Sequence, residues 1–125
     1  MQALDPLMRR PLILHVEDGK AQAEVLRIIL EGNGFSVLSA GSAKDALNIF
    51  RMQPVNLVLA DHMLSGSTGT QLAAQLKAIK ASVPIVLHSG TEPTSMRHLD
   101  GFIHKGEPVR NLIGFLRDLI KRFWE

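Results

Sequence analysis

Short apolar segments alternate with longer amphipathic segments along almost the whole chain. Five segments are mostly apolar and are bounded by turn residues or by polar residues, a pattern typical of buried strands. These predicted strands cover residues 12–16, 35–40, 55–60, 85–89 and 102–104. The pattern therefore predicts a sheet whose strands are covered on both faces.

Between the predicted strands, apolar residues recur at helical spacing. The predicted helices cover residues 20–31, 42–52, 70–80 and 109–123. Gly32 and Gly34 are expected to end the first helix, since glycine accepts the positive φ of a helix terminus. Ser42 followed by Asp45 is a helix-start signal for the second. Residues 91–101 show no clear periodicity, so their structure stays open.

A strand–helix alternation repeated in this way favours an α/β fold with a doubly wound parallel sheet. The 125 residues suffice for one domain and leave no room for a second. We expect a short N-terminal extension over residues 1–10 and one domain over residues 11–125. In such sheets function is expected at the carboxyl ends of the strands.

Composition narrows the possible functions. The chain has 46% hydrophobic and 21% charged residues, which is ordinary for a globular protein. A formal net charge of +2 gives no reason to expect direct nucleic-acid binding. The absence of cysteine excludes disulfides, thiolate nucleophiles and cysteine-ligated metals. With no export signal and no apolar run of membrane-spanning length, we expect a soluble cytoplasmic protein without membrane contact.

Charged and hydroxyl side chains stand at four of the five predicted strand ends. The residues are Glu17, Asp18, Asp61, Ser89 and Lys105. Clustered carboxylates repel one another unless a cation lies among them, and hard oxygen ligands suit Mg²⁺. A carboxylate can also attack phosphorus and form an aspartyl phosphate, with hydroxyl and ammonium groups holding the phosphoryl oxygens. The set therefore indicates magnesium-dependent phosphoryl chemistry.

In these segments the sequence resembles the receiver domain of two-component response regulators, of the chemotaxis-type single-domain kind. The resemblance covers about residues 11–123 and rests on motifs at the strand ends. These are residues 13–18 (ILHVED), 57–61 (LVLAD) with Gly69 eight residues later, 84–90 (PIVLHSG) and 101–105 (GFIHK). Each motif alone is weak, but their order along the chain makes the signal strong.

The resemblance implies a flavodoxin-like fold with strand order 2-1-3-4-5. It implies that Asp61 accepts a phosphoryl group from a histidine kinase or a histidine phosphotransfer protein. The implied Mg²⁺ ligands are Glu17 through water, Asp18, Asp61 and the Met63 backbone carbonyl. Such a domain is a signalling switch for a downstream protein partner and no enzyme in its own right.

Three further roles follow from the same resemblance. Ser89 would hydrogen-bond the phosphoryl group and Lys105 would pair with it. Phe102 stands at the position of the switch aromatic, which changes rotamer as the hydroxyl residue moves.

The chain departs from the family pattern in three places. Ser65 replaces the usual proline four residues after Asp61, which predicts a more mobile loop. Gly106 replaces the proline after Lys105 and makes a cis bond improbable. Lys105 follows Ser89 by only 16 positions, so the fourth helix of the family should be short, irregular or absent. We therefore expect intact phosphorylation chemistry and an altered partner surface.

Alternatives remain open. A haloacid-dehalogenase-type hydrolase needs a second aspartate two residues after the nucleophile, where this chain has Met63. A flavodoxin-like electron carrier needs a hydroxyl-rich loop after the first strand and aromatics for the flavin, and both are lacking. A scaffold receiver that is never phosphorylated is a further alternative, as is a receiver cut from a hybrid kinase or from a longer regulator.

Four histidines stand next to the predicted site residues. They are His15, His62, His88 and His104. Side chains alternate across a strand, so His88 and His104 are expected to point away from the phosphate pocket and to be neighbours if their strands pair in register. His62 is expected at the pocket rim.

Overall fold

A computed structural model describes residues 10–124. Its strands are β1 (Leu12–Val16), β2 (Ser36–Ala40), β3 (Leu57–Ala60), β4 (Met63–Leu64), β5 (Ser67–Thr68), β6 (Ile85–Ser89) and β7 (Gly101–His104). Its helices are α1 (Lys20–Glu31), α2 (Ala43–Met52), α3 (Gly69–Ile79) and α4 (Val109–Trp124). The bounds of the predicted strands and helices agree with the structure to within two residues, whereas β4 and β5 lie in a segment that was expected to be a loop. The expected extension over residues 1–10 lies outside the described residues apart from its last position.

The main sheet has five parallel strands in the order β2-β1-β3-β6-β7. This confirms the doubly wound α/β class and the strand order that the resemblance implied. The central strands β1, β3 and β6 carry the most apolar segments, because both of their faces are covered by helices.

Two apolar layers hold the sheet. On one face, Leu14 and Val58 of the sheet pack with Phe50 of α2 and Leu72 of α3. On the other face, strand residues pack with Leu30 of α1 and Leu116 and Ile120 of α4. Alternate residues of each strand serve the two layers. The sheet is therefore fixed from both sides, and its carboxyl edge becomes a rigid platform.

Local signals set where the helices begin. The Ser42 hydroxyl accepts a hydrogen bond from the Asp45 backbone N–H at 3.1 Å, as the sequence predicts. Thr68 and Gln71 form a reciprocal capping box at the start of α3. None of the helices within residues 10–124 combines the length and apolarity that crossing a bilayer requires.

The segment between β6 and β7 contains no helix or strand over residues 90–100, which confirms that the fourth helix of the family is missing. Asp100 holds this crossover in place. Its carboxylate accepts the Ile85 backbone N–H at 2.8 Å and pairs with Lys77 of α3 at 2.7 Å. His98, within a turn closed by Leu99 N–H donating to Met96, has a φ of 67°. Asp100 therefore joins the end of the crossover to both α3 and β6.

The prediction that His88 and His104 are neighbours is wrong. In the parallel pairing of β6 with β7, His88 is paired with Ile103 and Ser89 with His104. Paired residues of parallel strands share a face, so the two histidines lie on opposite faces. His88 is half-buried on the face of α1 and α4, whereas His104 is exposed on the face of α2 and α3. Only His88 therefore points away from the side of Ser89.

Candidate functional site

Three carboxylates meet at the carboxyl edge of the sheet. The Glu17 backbone N–H donates to Ala40 and the Asp61 N–H donates to Val16, each at 3.0 Å, so the hydrogen-bond ladder continues one residue beyond the strands. Each of Glu17, Asp18 and Asp61 offers one carboxylate oxygen, and these oxygens lie within 4.8 Å of one another. The strand ends thus bring together the acids that the sequence predicted.

Lys105 joins this cluster from the end of β7. Its Nζ lies 3.3 Å from Glu17 Oε1 and 3.3 Å from Asp61 Oδ1. Its backbone N–H donates to the Ser89 carbonyl at 2.8 Å, which sets the Lys105 main chain beside β6. Partial burial lowers the pKa of Lys105, but the attraction of Asp61 and Glu17 outweighs it and the pKa is raised. The ammonium is therefore charged at neutral pH.

The charge balance of the cluster leaves room for a cation. Three carboxylates face one ammonium, and Glu17 is only 7% exposed, so water screens its charge poorly. The donors are hard oxygens, and Asp18 is exposed at the open side of the cluster. This combination of charge, oxygen ligands and solvent access fits Mg²⁺, which keeps several waters when bound.

Ser89 and Phe102 stand beside the cluster on neighbouring strands. Ser89 is buried, and its hydroxyl accepts the Thr91 backbone N–H at 3.3 Å. Phe102 pairs with Leu87 and is half-buried on the face that lacks a fourth helix. These positions leave the proposed roles of Ser89 and Phe102 as predictions.

The loop after Asp61 folds into a tight hairpin. Strands β4 and β5 pair antiparallel around Ser65 and Gly66, and Gly66 has a φ of 77° that glycine adopts without strain. Met63, whose carbonyl the resemblance assigns to the metal, begins β4, and its side chain is exposed. The hairpin places the Ser65 hydroxyl 3.5 Å from Asp18 Oδ2, a long contact that proline at this position could not make. The mobility predicted for this loop stays a prediction.

Gly69 anchors α3 against the loop that carries Asp61. Its N–H donates to the His62 carbonyl at 2.7 Å. A Cβ at this position would lie 2.5 Å from the Asp61 carbonyl oxygen and 2.5 Å from Leu87 Cδ1. Only glycine allows the helix to approach this closely, which explains its place in the motif eight residues after Asp61.

Two histidines lie beneath the cluster on the side of α1. His15 is 3% exposed, and burial lowers its pKa to about 4. Burial, and then the charge of Lys105, lower the pKa of His88. Among the described residues, the Nδ1 atoms of His15 and His62 are buried without a hydrogen-bond partner. His62 donates its backbone N–H to Asp61 Oδ1 at 2.9 Å, so its main chain contacts the candidate nucleophile.

Sequence reasoning located the acids, the lysine and the serine but missed two features of the site. The Ser65 contact with Asp18 depends on the hairpin turn, although the missing proline was a visible signal. The shared placement of His15 and His88 in one cavity depends on which faces of β1 and β6 they occupy. The alternation of side chains along β1 and β6 could have predicted which face of the sheet carries each histidine. It could not have predicted that a cavity lies between that face and α1.

Comparison with known proteins agrees with this geometry. A family model described as "Response regulator receiver domain" matches residues 13–114. The DNA-binding response regulator MtrA of Mycolicibacterium paratuberculosis is 40% identical over 119 residues, covering 90% of this chain and 52% of that protein. The sensory transduction protein RegX3 of Mycolicibacterium smegmatis is 29% identical over 116 residues, covering 88% and 50%. The chain thus spans about half the length of these curated relatives.

Solved structures share the fold. A CheY-like receiver domain protein from Methanospirillum hungatei superposes with a TM-score of 0.86 at 23% identity, covering 91% of this chain and 96% of that one. The response regulator TrrA of Thermotoga maritima, in complex with Mg²⁺ and BeF, has a TM-score of 0.82 at 23% identity, covering 87% and 98%. Together with the matched family model, the fold and the ordered strand-end residues show that this chain belongs to the response regulator receiver domain family.

Proposed function

We propose that this chain is a working phosphoacceptor in which Asp61 takes a phosphoryl group from a histidine kinase or a histidine phosphotransfer protein. The observation that carries the proposal is the position of Lys105, whose ammonium lies 3.3 Å from both Glu17 and Asp61 beside the carboxylate cluster. A structural ion pair would need one carboxylate, whereas this arrangement keeps excess negative charge next to a cation. The ammonium beside Asp61 supplies positive charge that stabilises a phosphoryl group on that carboxylate, and the remaining negative charge calls for a second cation such as Mg²⁺.

In the proposed reaction, an Asp61 carboxylate oxygen attacks the phosphorus of a phosphohistidine. A new P–O bond forms as the P–N bond breaks, and the histidine nitrogen leaves with the electron pair and takes a proton from solvent. The Asp61 Oδ1 is held by the His62 N–H and by Lys105, which orients the carboxylate. Lys105 and the Ser89 hydroxyl then stand beside the strand ends to bind the phosphoryl oxygens.

The residues that would hold Mg²⁺ are Glu17, Asp18 and Asp61, whose carboxylate oxygens lie within 4.8 Å of one another, together with the Met63 carbonyl that the family resemblance implies. When bound, the ion supplies positive charge for the transferred phosphoryl oxygens. Glu17 and Asp61 are also the carboxylates that contact Lys105, so the cluster can hold two cations at once. The domain assists its own phosphorylation and dephosphorylation, and it acts on no separate substrate.

The proposed output is a change of protein partner. Ser89 and Phe102 lie on the same face of the adjacent strands β6 and β7, and in the proposed switch the half-buried ring changes rotamer when the Ser89 hydroxyl moves toward phosphate. Because residues 90–100 form no helix, the partner surface near β7 differs from that of a receiver with a fourth helix. We propose a protein partner in the cytoplasm, with no direct nucleic-acid or membrane contact by this domain over residues 11–125.

Intact-mass spectrometry after incubation with acetyl phosphate and Mg²⁺ tests the proposal. We expect one added phosphoryl group, which is absent in Asp61→Asn and after chelation with EDTA. Asp118→Asn is the matched control, since Asp118 is exposed on α4 away from the carboxylate cluster and should leave phosphorylation unchanged. If wild-type protein binds Mg²⁺ poorly and gains no mass with either acetyl phosphate or a phosphorylated phosphotransfer protein, a scaffold role replaces the proposed function.

A further inference from the structure

A cavity of about 420 Å³ lies directly beside the carboxylate cluster, between α1 and the carboxyl ends of β1 and β6. Its helix wall is formed mainly by Ala21, Val25 and Leu26, and its sheet wall carries His15 and His88. The volume falls within the range of small-molecule sites, which combine apolar walls with a few polar groups. The cavity is separate from the metal-binding side of the cluster, although Glu17 and Lys105 border both.

One of the two histidines, His15, occupies a buried position in the sheet that is unusual for a titratable side chain. His15 stands in β1 between two fully buried apolar residues, Leu14 and Val16, and is itself 3% exposed. Its Nδ1 has no hydrogen-bond partner among the described residues. A buried polar atom without a partner costs free energy, so native proteins seldom keep one without a reason. Since His15 Nδ1 is inaccessible to solvent, a ligand in the cavity cannot reach it, and the half-buried His88 is the more accessible imidazole of the sheet wall.

The charges around the cavity select the ligand class. Glu17 and Lys105 are the charged residues that line the cavity, and they pair with each other at 3.3 Å, so the walls present no unbalanced charge to a ligand. A cation would be drawn to the carboxylate cluster outside the cavity, and an anion inside the cavity would find the Lys105 ammonium already shared between Glu17 and Asp61. Within residues 10–124, the one group of three metal-ligating side chains contains neither histidine. The chemistry of the walls thus fits an uncharged ligand.

We propose that this cavity binds a small, uncharged, mainly apolar molecule whose N–H or O–H group hydrogen-bonds to His88 on the sheet wall. Aromatic rings suit the site best, because they can pack against Val25 and Leu26 and also against the imidazole rings. Neutral imidazole offers one acceptor nitrogen, which is the partner that such a donor needs.

Occupancy of the cavity is expected to change the chemistry next to it. Glu17 and Lys105 line the cavity, and the same two side chains form the 3.3 Å ion pair of the carboxylate cluster. A ligand that moves either side chain alters the position of the ammonium relative to Asp61. This coupling rests on the proposed function of Asp61, whereas binding itself does not.

Binding is tested by titrating the 125-residue protein with indole and recording backbone amide NMR spectra without any phosphodonor. 1-Methylindole is the matched probe, since it lacks the N–H donor. Ala21→Trp should fill the cavity from an exposed helix position and leave folding intact. His88→Leu removes one imidazole, and His104→Leu is its control on the other face of the sheet.

We expect indole to cause saturable changes in the amide chemical shifts of the residues that line the cavity. These changes should be absent in Ala21→Trp and the same as in the wild type in His104→Leu. Affinity should fall about tenfold in His88→Leu and about tenfold for 1-methylindole, the loss of one hydrogen bond. Absence of saturable shifts up to the solubility limit of indole, or equal shifts in Ala21→Trp, would overturn the site. Equal affinity for 1-methylindole would overturn the role of His88.

Coupling is measured separately, as the rate of Asp61 phosphorylation by acetyl phosphate with and without saturating indole. A change of severalfold in the wild type, lost in Ala21→Trp, supports the coupling. An unchanged rate with confirmed binding overturns the coupling alone. Absence of phosphorylation in every sample overturns the proposed function of Asp61 and leaves the binding result standing.

Discussion

Two lysine–aspartate pairs lie in different regions of this molecule and do different work. Lys77 and Asp100 pair at 2.7 Å in the β6–β7 crossover, and both side chains are mostly buried, at 17% and 21% exposure. Lys105 and Asp61 pair at 3.3 Å at the carboxyl edge, where the lysine is 36% exposed. A lysine and an aspartate thus form a short, mostly buried ion pair in the crossover and a longer, more exposed ion pair at the carboxyl edge of the sheet.

The neighbours of each pair explain the difference. Lys77 also donates to the carbonyls of Ala81 and Val83, and Asp100 accepts the Ile85 N–H, so each group has several partners. These hydrogen bonds and the ion pair fix the backbone of the crossover between β6 and β7, which contains no helix. Lys105 is instead shared between two carboxylates in a cluster with excess negative charge. The loosely held ammonium remains able to bind an incoming anion.

Exchanging each lysine for methionine gives the largest expected contrast. Lys105→Met should slow phosphorylation by acetyl phosphate about 10- to 100-fold at saturating Mg²⁺, because a cation next to the transferred group is lost. Lys77→Met should leave that rate within a factor of two, since Lys77 contacts none of the strand-end acids. Time-resolved intact-mass measurements give both rates.

Urea unfolding of the same two variants provides the control. Lys77→Met should lose about 2 kcal/mol of stability, because Asp100 keeps a half-buried charge without its cation. If Lys77→Met proved as slow in phosphorylation as Lys105→Met, the division between a structural and a functional pair would be wrong.

Substitution of Asp100, the partner of Lys77, tests the structural role of this ion pair independently. Asp100→Ala should destabilise the fold by about 2 kcal/mol, because it removes a hydrogen bond from the Ile85 N–H to a charged group together with the ion pair. Urea unfolding of Asp100→Ala, Lys77→Met and the double variant completes a mutant cycle. Simple additivity of the two losses would show that the pair does not act as a unit.

The smallest expected effect concerns the buried histidine beneath the edge. Burial lowers the pKa of His15 from 6.5 to about 4, so the unfolded chain binds a proton between these values while the folded chain does not. Stability therefore rises with pH through this window and is lost as pH falls. From pH 7.5 to pH 5.5 the contribution of His15 should decrease by about 1 kcal/mol.

His15→Val isolates that contribution, since valine suits a buried strand. Urea unfolding at the two pH values should show a smaller pH dependence in the variant than in the wild type. An identical pH dependence in both proteins would mean that His15 already takes up its proton in the folded state.

Much of the fold could be predicted from the sequence because its determinants are local. Apolar segments such as Leu57–Ala60 favour buried strands wherever they occur, and Ser42 caps a helix through a bond three residues away. The placement of the strand-end acids followed as well, since the carboxyl ends of parallel strands meet at one edge. The shortened interval before Lys105 also predicted that the fourth helix would be short, irregular or absent, and the structure has no helix over residues 90–100.

Only the tertiary structure decided the contacts between distant segments. The register of β6 with β7 placed His88 and His104 on opposite faces, and short strands carry no local signal for such a one-residue choice. The tie from Lys77 to Asp100 and the cavity shared by His15 and His88 join segments that are far apart in sequence. Side-chain reach, helix position and strand register act together there, and no local pattern of residues encodes all three.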